Sequence, residues 1–261
     1  MHDLLDDYAQ TNALRDVSPR LKLMLGLGSI LLCVFSPSPV APLIAALTMS
    51  TITVFLAKIP SRLYCKLLLA PLTFVLFSSL AILFVSGSGS EPIISFQAFG
   101  IGLGIGRDSA NIALLMLSRT LGGTSSLFFI ALTTPMIEIF SILKSLGLPD
   151  VLLELSMLIY RYIFVLMDQA MMINSAQTMR LGHASLKGSF NSFSMLAGVL
   201  FLRAWEQGER LMVAMDSRCY DGKLDVFQRR TPIMLRGMLA MVGYLAAVAA
   251  IAFLTRDFRL I

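Results

Sequence analysis

The sequence predicts an all-α integral membrane protein with about five transmembrane helices and a cytoplasmic platform of three further helices. Hydrophobic residues make up 56% of the 261 residues and charged residues only 14%, whereas an ordinary globular chain carries about 25% charged residues. The mean hydropathy is +0.78. Long uncharged segments account for these values, and the short alternating segments of a membrane β-barrel are absent. The composition therefore excludes a soluble domain.

Four spans are predicted in the N-terminal membrane domain (1–132), over residues 20–36, 40–57, 67–90 and 111–132. Residues 23–57 carry no charge and are too long for one span, because about 20 residues cross the hydrocarbon. The three prolines of SPSPVAP (36–42) divide this segment into a helical hairpin. The glycine-rich FGIGLGIG (99–106) lacks the spacing of a phosphate-binding loop. We interpret it as a flexible extramembrane loop.

The composition changes over residues 133–231, which hold ten Lys or Arg and nine Asp or Glu. This block predicts a cytoplasmic domain, and 232–261 supply a fifth span and a tail. The segments that flank the first, second and third spans carry the basic residues Arg15, Arg20, Lys22, Lys58, Arg62 and Lys66, and the last three have no acidic residue nearby. Because Lys and Arg favour cytoplasmic loops, the N-terminus is predicted to lie in the cytoplasm.

The cytoplasmic block predicts a short helix over 136–146 and two long helices, one capped by Asp150 and the other by Ser185. Apolar residues recur at spacings of three and four in the last helix, and they include Leu186, Phe190, Phe193 and Leu200. This rhythm predicts a packing contact between the two long helices. Glu154, Arg161 and Asp168 share one face of the first long helix, and such a row is often solvated.

Each long helix ends in an arginine, within Met179-Arg180-Leu181 and Ser217-Arg218-Cys219. A cation at a helix C-terminus is favoured by the helix dipole, typically by about 0.3–1 kcal/mol. That effect would be sufficient to explain either arginine alone. It explains less well why two long helices end alike. The pair therefore indicates a docking surface for acidic pockets on a partner.

Four segments together resemble the transmembrane coupling (T) subunit of energy-coupling-factor (ECF) transporters, and most of all the cobalt-type subunits known as CbiQ. The segments are SPRLKL (18–23), TTP (133–135), AQTMRLGH (176–183) and AMDSRCYDG (214–222). The resemblance covers nearly the whole chain. It implies a non-enzymatic subunit in a prokaryotic cell membrane, where three coupling helices link ATP hydrolysis by cytoplasmic ABC ATPase subunits to a membrane-embedded substrate-binding subunit.

The resemblance also implies roles for particular residues. Each motif arginine enters a groove of one ATPase subunit, and the docking residues are Arg180, Arg218, Met179, Leu181, Ser217 and Cys219. Leu181 and Cys219 stand where the family usually has glycine. Cobalt is the substrate implied, with nickel or a vitamin as alternatives. No cofactor, catalytic residue, bound metal or nucleic-acid partner is expected.

Arg119 lies in the middle of the fourth span, where a charge is costly, so it should face other helices in a structural role. Two alternative functions belong to other classes. A self-contained metal carrier would need ligands inside the spans, where only Cys33 and Arg119 qualify. An intramembrane transferase would need clustered carboxylates for Mg²⁺, and Asp216 and Asp221 are the nearest candidates.

Overall fold

The computed structural model describes residues 8–15, 17–85, 94–98, 101–105, 107–221 and 235–255. The chain divides into two compact units, one formed by 1–138 with 230–261 and the other by 139–229. The predicted spans fall in the first unit and the two long helices in the second. The ends of the chain and the linker 222–234 lie outside the described residues.

The described elements are, in chain order, α1 (Pro19–Phe35), α2 (Val40–Thr51), α3 (Ser61–Val85), β1 (Ile94–Ala98), β2 (Ile101–Ile105), α4 (Arg107–Thr133), α5 (Met136–Ser145), α6 (Asp150–Met179), α7 (Leu186–Asp216) and α8 (Leu235–Leu254). A π-helical turn, Ile52–Leu56, extends α2. The all-α membrane fold is thus confirmed, with one small hairpin added to it.

The hairpin corrects the prediction of a flexible loop. Strands β1 and β2 pair antiparallel with Ala98 opposite Ile101. In β2, apolar residues alternate with glycine, and this period of two is the period of a strand. The glycines favoured the interpretation as a flexible loop, and the alternation that indicates a strand was missed. Residues 99, 100 and 106 of the predicted loop lie outside the described residues.

The helices of the first unit alternate in direction. The Oγ of Ser38, after α1, lies 2.6 Å from the Thr255 hydroxyl, after α8. At the other end, a Cβ on Gly237 in α8 would lie 3.1 Å from Leu21 in α1. Helices α1 and α8 therefore run the same way, as five alternating helices require. Helix α4 therefore ends, and α8 begins, at the end of this unit where α1 begins.

Two apolar clusters hold this bundle together. Ala57, Ile59, Tyr64 and Leu132 form one cluster near the start of α1. Cys33, Ala45 and Val248 form the other. Helix α4 packs against α1, α2 and α3, and Gly122 permits the close approach because a Cβ there would lie 2.8 Å from the Pro42 carbonyl oxygen. Burial is concentrated on α1, α2 and α4, and much of α3 and α8 remains exposed.

The exposed helices suit a lipid environment. In the part of the chain that the structure describes, three helices are long and apolar enough to cross a membrane, namely Ser61–Ile82, Ala110–Thr133 and Leu235–Leu254, and Val40–Leu56 is shorter. Phe74 and Phe77 on α3 are each 75% exposed, which a bilayer accommodates and water does not. These features make the chain a multi-pass membrane protein. The count of five spans stays a prediction.

Candidate functional site

Helices α6 and α7 form an antiparallel hairpin joined by three hydrogen-bonded contacts along its length. Near the connection, Gln177 Nε2 donates to the Ser192 carbonyl oxygen at 2.9 Å. Midway, Gln169 Nε2 donates to Gln207 Oε1 at 3.3 Å. At the far end, the Tyr220 hydroxyl donates to Glu154 Oε2 at 2.7 Å. The end of α7 therefore lies beside the beginning of α6.

Arg180 sits in a tight turn that ends α6. The amide of Gly182 donates to the Gln177 carbonyl at 2.9 Å, and the amide of Leu181 donates to the Thr178 carbonyl at 3.0 Å. Leu181 has a φ of 59°. This pair of bonds around a left-handed residue is the Schellman arrangement, which satisfies carbonyls that the last helical turn leaves free.

Arg218 lies in a second turn of the same type, at the end of α7. The amide of Tyr220 donates to the Met215 carbonyl at 3.1 Å, and the amide of Cys219 donates to the Asp216 carbonyl at 3.1 Å. Cys219 has a φ of 56°. Leu181 and Cys219 thus hold the backbone shape that glycine adopts most easily. At both positions the resemblance implies a glycine. Leu181 and Cys219 replace it, but the chain keeps the turn that glycine favours.

The side chains of both turns face outward. Arg180 and Arg218 are exposed, and neither forms an ion pair or a side-chain hydrogen bond with a described residue. Met179 is 88% exposed and Leu181 is 78% exposed. Ser217 and Cys219 are exposed as well. The backbone of each turn is fixed by hydrogen bonds, and its arginine side chain is exposed among apolar or small neighbours. Each arginine is therefore available to a carboxylate on another protein.

The two arginines occupy opposite ends of the hairpin. Arg218 lies two residues before Tyr220, which bonds Glu154 near the beginning of α6, whereas Arg180 directly follows the end of α6. The 26 residues between 154 and 180 correspond to about 40 Å at 1.5 Å per helical residue. One small pocket could not bind both side chains. The sequence showed that both long helices end in an arginine, but it did not show how far apart the two arginines lie.

Each arginine turn is fastened to the opposite helix. The Ser192 hydroxyl on α7 donates to the Gly182 carbonyl at 3.0 Å, which holds the turn of Arg180. The Tyr220–Glu154 bond holds the turn of Arg218. Its carboxylate acceptor raises the pKa of Tyr220 above the usual 10.0, so the phenol stays protonated and keeps donating at neutral pH.

Sequence reasoning missed these fastening residues. Glu154 was grouped with Arg161 and Asp168 as a row that is often solvated, but only Glu154 is buried, at 8% exposure, and the other two are exposed. Its position four residues into α6 was a usable signal, because the C-terminus of an antiparallel neighbour reaches that point. Asp150 was also misassigned as a cap. Pro149 precedes the helix, and Asp150 pairs with Lys144 at 3.0 Å.

The predicted apolar contact between the long helices is wrong for three of its four residues. Leu186, Phe190 and Phe193 are 94%, 77% and 66% exposed, respectively. Only Leu200 is half-buried, and the half-buried positions on α7 include Ser192, Leu196, Val199 and Gln207. Polar hydrogen bonds occupy this contact, so it sits about one residue position around the helix from the apolar row. That row, Leu186–Phe190–Phe193, is left uncovered.

Ser185 caps α7 as predicted, since its hydroxyl accepts from the Gly188 amide at 3.0 Å.

Arg119 lies in α4, and its Nε and Nη2 donate to the Ser36 carbonyl oxygen at 3.1 and 2.7 Å. Ser36 follows the last residue of α1, where carbonyls lack helical partners and favour a cation. Arg119 therefore links two helices of the bundle.

The described residues hold no group of three or more His, Cys, Asp or Glu that could bind a metal ion. Asp216 is exposed beside the Arg218 turn.

Substituting glycine for Leu181 or Cys219 should stabilise the hairpin. A left-handed backbone costs an ordinary L-residue about 1–2 kcal/mol, and glycine avoids most of this cost. We expect each variant to raise the free energy of unfolding of the detergent-solubilised protein by about 1 kcal/mol in a denaturant titration. Leu181→Ala is the matched control, because it removes the same side chain and keeps the strain. A Leu181→Gly variant no more stable than Leu181→Ala would contradict the turn geometry.

Comparison with known proteins places the chain in a family. The family model described as cobalt transport protein, CbiQ, matches residues 10–231. An uncharacterized protein of Methanocaldococcus jannaschii is 39% identical over 259 residues, which cover 99% of this chain and 96% of that protein. The cobalt transport protein CbiQ of Salmonella typhimurium is 28% identical over 84% of this chain and 97% of its own length.

A putative fused cobalt transport protein, CbiMQ, of Methanocorpusculum labreanum is 41% identical over 245 residues. This match covers 94% of the present chain and 41% of the fused protein. The match to the family model runs through the first four helices and both arginine turns, so it applies to the site and not only to its scaffold. The chain belongs to the cobalt transport protein family CbiQ.

Proposed function

We propose that this chain is the T component of an ECF-type ABC importer, which couples ATP hydrolysis by partner ATPase subunits to uptake of cobalt ion through a separate substrate-binding subunit. One observation carries the proposal. Two exposed arginines without ion-pair partners among the described residues stand in the same tight turn at opposite ends of one helical hairpin. No requirement of the fold accounts for this duplication.

The spacing of the arginines supports two ATPase contacts. A separation of about 40 Å along a helix suits two binding grooves on two subunits better than one. Because each turn is hydrogen-bonded to the opposite helix, at Ser192 and at Glu154, a displacement at one end is carried along the hairpin. Relative movement of two ATPase subunits would then shift α6 and α7 together.

The uncovered apolar row supports contact with a membrane-embedded partner. Leu186, Phe190 and Phe193 are exposed on α7, and no described element covers them. An apolar row of this kind marks an interaction surface. In the proposed complex, this row contacts the substrate-binding subunit, and Leu200 stays in the hairpin contact. The hairpin thus presents charged ends to the ATPases and an apolar side to the subunit that binds substrate.

Relatives support cobalt as the substrate. Two of them are named cobalt transport proteins, and one of these is a fusion of which this chain matches 41%. The remaining length of that fusion supports a second membrane component that works with the present one. The exposed basic residues Arg15, Arg20, Lys58, Arg62 and Lys66, at the end of the first unit where α1 begins, support a cytoplasmic N-terminus.

Uptake of labelled Co²⁺ into lipid vesicles tests the proposal directly. We expect no ATP-dependent uptake by this chain alone, and uptake when the ATPases and the substrate-binding subunit are present. Nickel and vitamin uptake in the same vesicles decide between the substrates. A carrier that relies on Cys33 and Arg119 would transport metal without any partner. Robust uptake by the lone chain would therefore replace the coupling function with that of a carrier.

Phe193→Asp should release the substrate-binding subunit without unfolding the chain. Since Phe193 is 66% exposed, its replacement should change the free energy of unfolding by no more than about 0.5 kcal/mol. A charge in an apolar contact should nevertheless abolish co-purification of that subunit. Met195→Asp is the matched control, because Met195 is 59% exposed on the far side of α7. Equal loss in both variants would argue against the apolar row as the contact surface.

A further inference from the structure

Exposed cations gather at one end of the first unit, and we call five of them the cationic rim: Arg15, Arg20, Lys58, Arg62 and Lys66. The fold brings them together from three separate segments. The amide of Ala13 donates to the Ala57 carbonyl at 3.4 Å, so the segments that carry Arg15 and Lys58 are adjacent. Helices α1 and α3 both begin at this end, which places their first turns on the same side of the bundle.

The cationic rim has no neutralising partner among the described residues. None of its five side chains forms an ion pair or a side-chain hydrogen bond there. The described side chains of the first unit include one carboxylate, Glu138, and it forms no ion pair with the rim. Exposed charge of this density repels itself and favours an anionic counterpart.

Exposed apolar side chains border the cationic rim. Phe55 and Leu56, three and two residues before Lys58, are 74% and 55% exposed, and Leu69, three residues after Lys66, is 57% exposed. Charged and apolar surface therefore meet within a single helical turn of α3. This boundary is the one expected where a protein passes from the headgroup layer of a bilayer into its hydrocarbon.

Lys58 is held outward at a conformational cost. Its φ is 56°, in the left-handed region that is unfavourable for a residue with a side chain. Its neighbours Ala57 and Ile59 are 1% and 2% exposed, and the Ala57 amide donates to the Ile52 carbonyl at 3.0 Å. The buried neighbours fix the turn, and Lys58 itself makes no described contact that offsets its strain. Strain of this kind is characteristic of functional positions.

We propose that the cationic rim is a binding surface for anionic phospholipid headgroups, at the membrane boundary of the first unit. Clusters of four to eight Lys or Arg beside a transmembrane helix attract anionic lipids. A lipid fits the observations better than an acidic protein surface does, because the adjoining exposed residues are apolar and lie on apolar helices, one of which, α3, is long enough to cross a membrane. This inference does not depend on the proposed transport function.

Native mass spectrometry of the full chain from mixed micelles tests the proposal. The protein is equilibrated with phosphatidylglycerol and phosphatidylcholine, and the lipids retained per protein are counted as the phosphatidylglycerol fraction rises. We expect wild type to retain phosphatidylglycerol preferentially. K58Q/R62Q/K66Q should weaken the apparent affinity at least ten-fold, because each cation contributes roughly five-fold. The charge-matched control K187Q/R203Q/R210Q, on the second unit, should change it less than two-fold.

Lys58→Gly separates binding from folding. Glycine relieves the left-handed strain, so this variant should melt at a higher temperature than wild type while losing about five-fold in apparent affinity for phosphatidylglycerol. A residue with a purely structural role would not lose lipid preference as it gained stability. Inorganic phosphate at equal concentration should not compete, because a free anion lacks the acyl chains that bring a headgroup to the rim.

Three outcomes would overturn the proposal. The first is equal retention of the two lipids by wild type, and the second is an unchanged preference in K58Q/R62Q/K66Q. The third concerns an acidic protein partner. If the triple variant kept its lipid preference but lost ATPase subunits in micelles that contain only phosphatidylcholine, the cationic rim would belong to a protein interface.

Discussion

Replacing Arg180 and Arg218 together by glutamate should abolish co-purification of ATPase subunits while the protein remains folded in the membrane. In the complex, each carboxylate of the ATPase subunits would lose its guanidinium partner, and the new glutamate would add repulsion. Loss of one partner of a buried charge pair costs about 2–5 kcal/mol, so two losses are comparable with the roughly 8 kcal/mol that binds a complex of micromolar affinity. The measurement is the yield of ATPase subunits pulled down from detergent-solubilised membranes.

The distance between the two turns makes the single variants informative. Because the arginines lie about 40 Å apart along the hairpin, Arg180→Glu should release one ATPase subunit and weaken the other only through the assembly. Arg203→Glu is the matched control, since Arg203 is exposed on α7 away from both turns. Wild-type yield of ATPase subunits with the double variant would show that the two turns are not the docking sites.

Lys22→Glu should unfold the membrane bundle or prevent its assembly. Lys22 is only 3% exposed, and its Nζ donates to the Thr133 carbonyl oxygen at 3.0 Å. A carboxylate there would be buried beside the carbonyls that end α4, where the helix dipole already favours a cation. An uncompensated buried charge costs about 3–5 kcal/mol. Thermal unfolding followed by size-exclusion chromatography in detergent measures the loss.

Two control variants isolate the charge at this position. Lys22→Met keeps most of the side-chain volume and removes one hydrogen bond, so it should cost about 1–3 kcal/mol. Arg20→Glu reverses a charge two residues away on an exposed side chain, and it should leave stability within about 0.5 kcal/mol. A Lys22→Glu protein as stable as Lys22→Met would show that a buried carboxylate is tolerated beside the end of α4.

The sequence by itself determined the fold class, the helices and the family. Uncharged runs of about 20 residues admit few structures other than membrane helices, because every backbone amide in lipid must bond within its own segment. Resemblance in SPRLKL, TTP and the two arginine segments was sufficient to place the chain among cobalt transport proteins of the CbiQ family, which the family match confirms. These signals are local in sequence, so they could be read without coordinates.

Tertiary structure alone decided which distant residues meet. Lys22 of SPRLKL bonds Thr133 of TTP, and Tyr220 bonds Glu154 across the hairpin, although neither pairing leaves a periodic trace in the sequence. The apolar row Leu186–Phe190–Phe193 obeys the spacing of a packed helix face and is nevertheless exposed. Periodicity reports that a helix has an apolar side. Whether that side meets its own chain, lipid or a partner depends on the hydrogen bonds that orient α6 and α7.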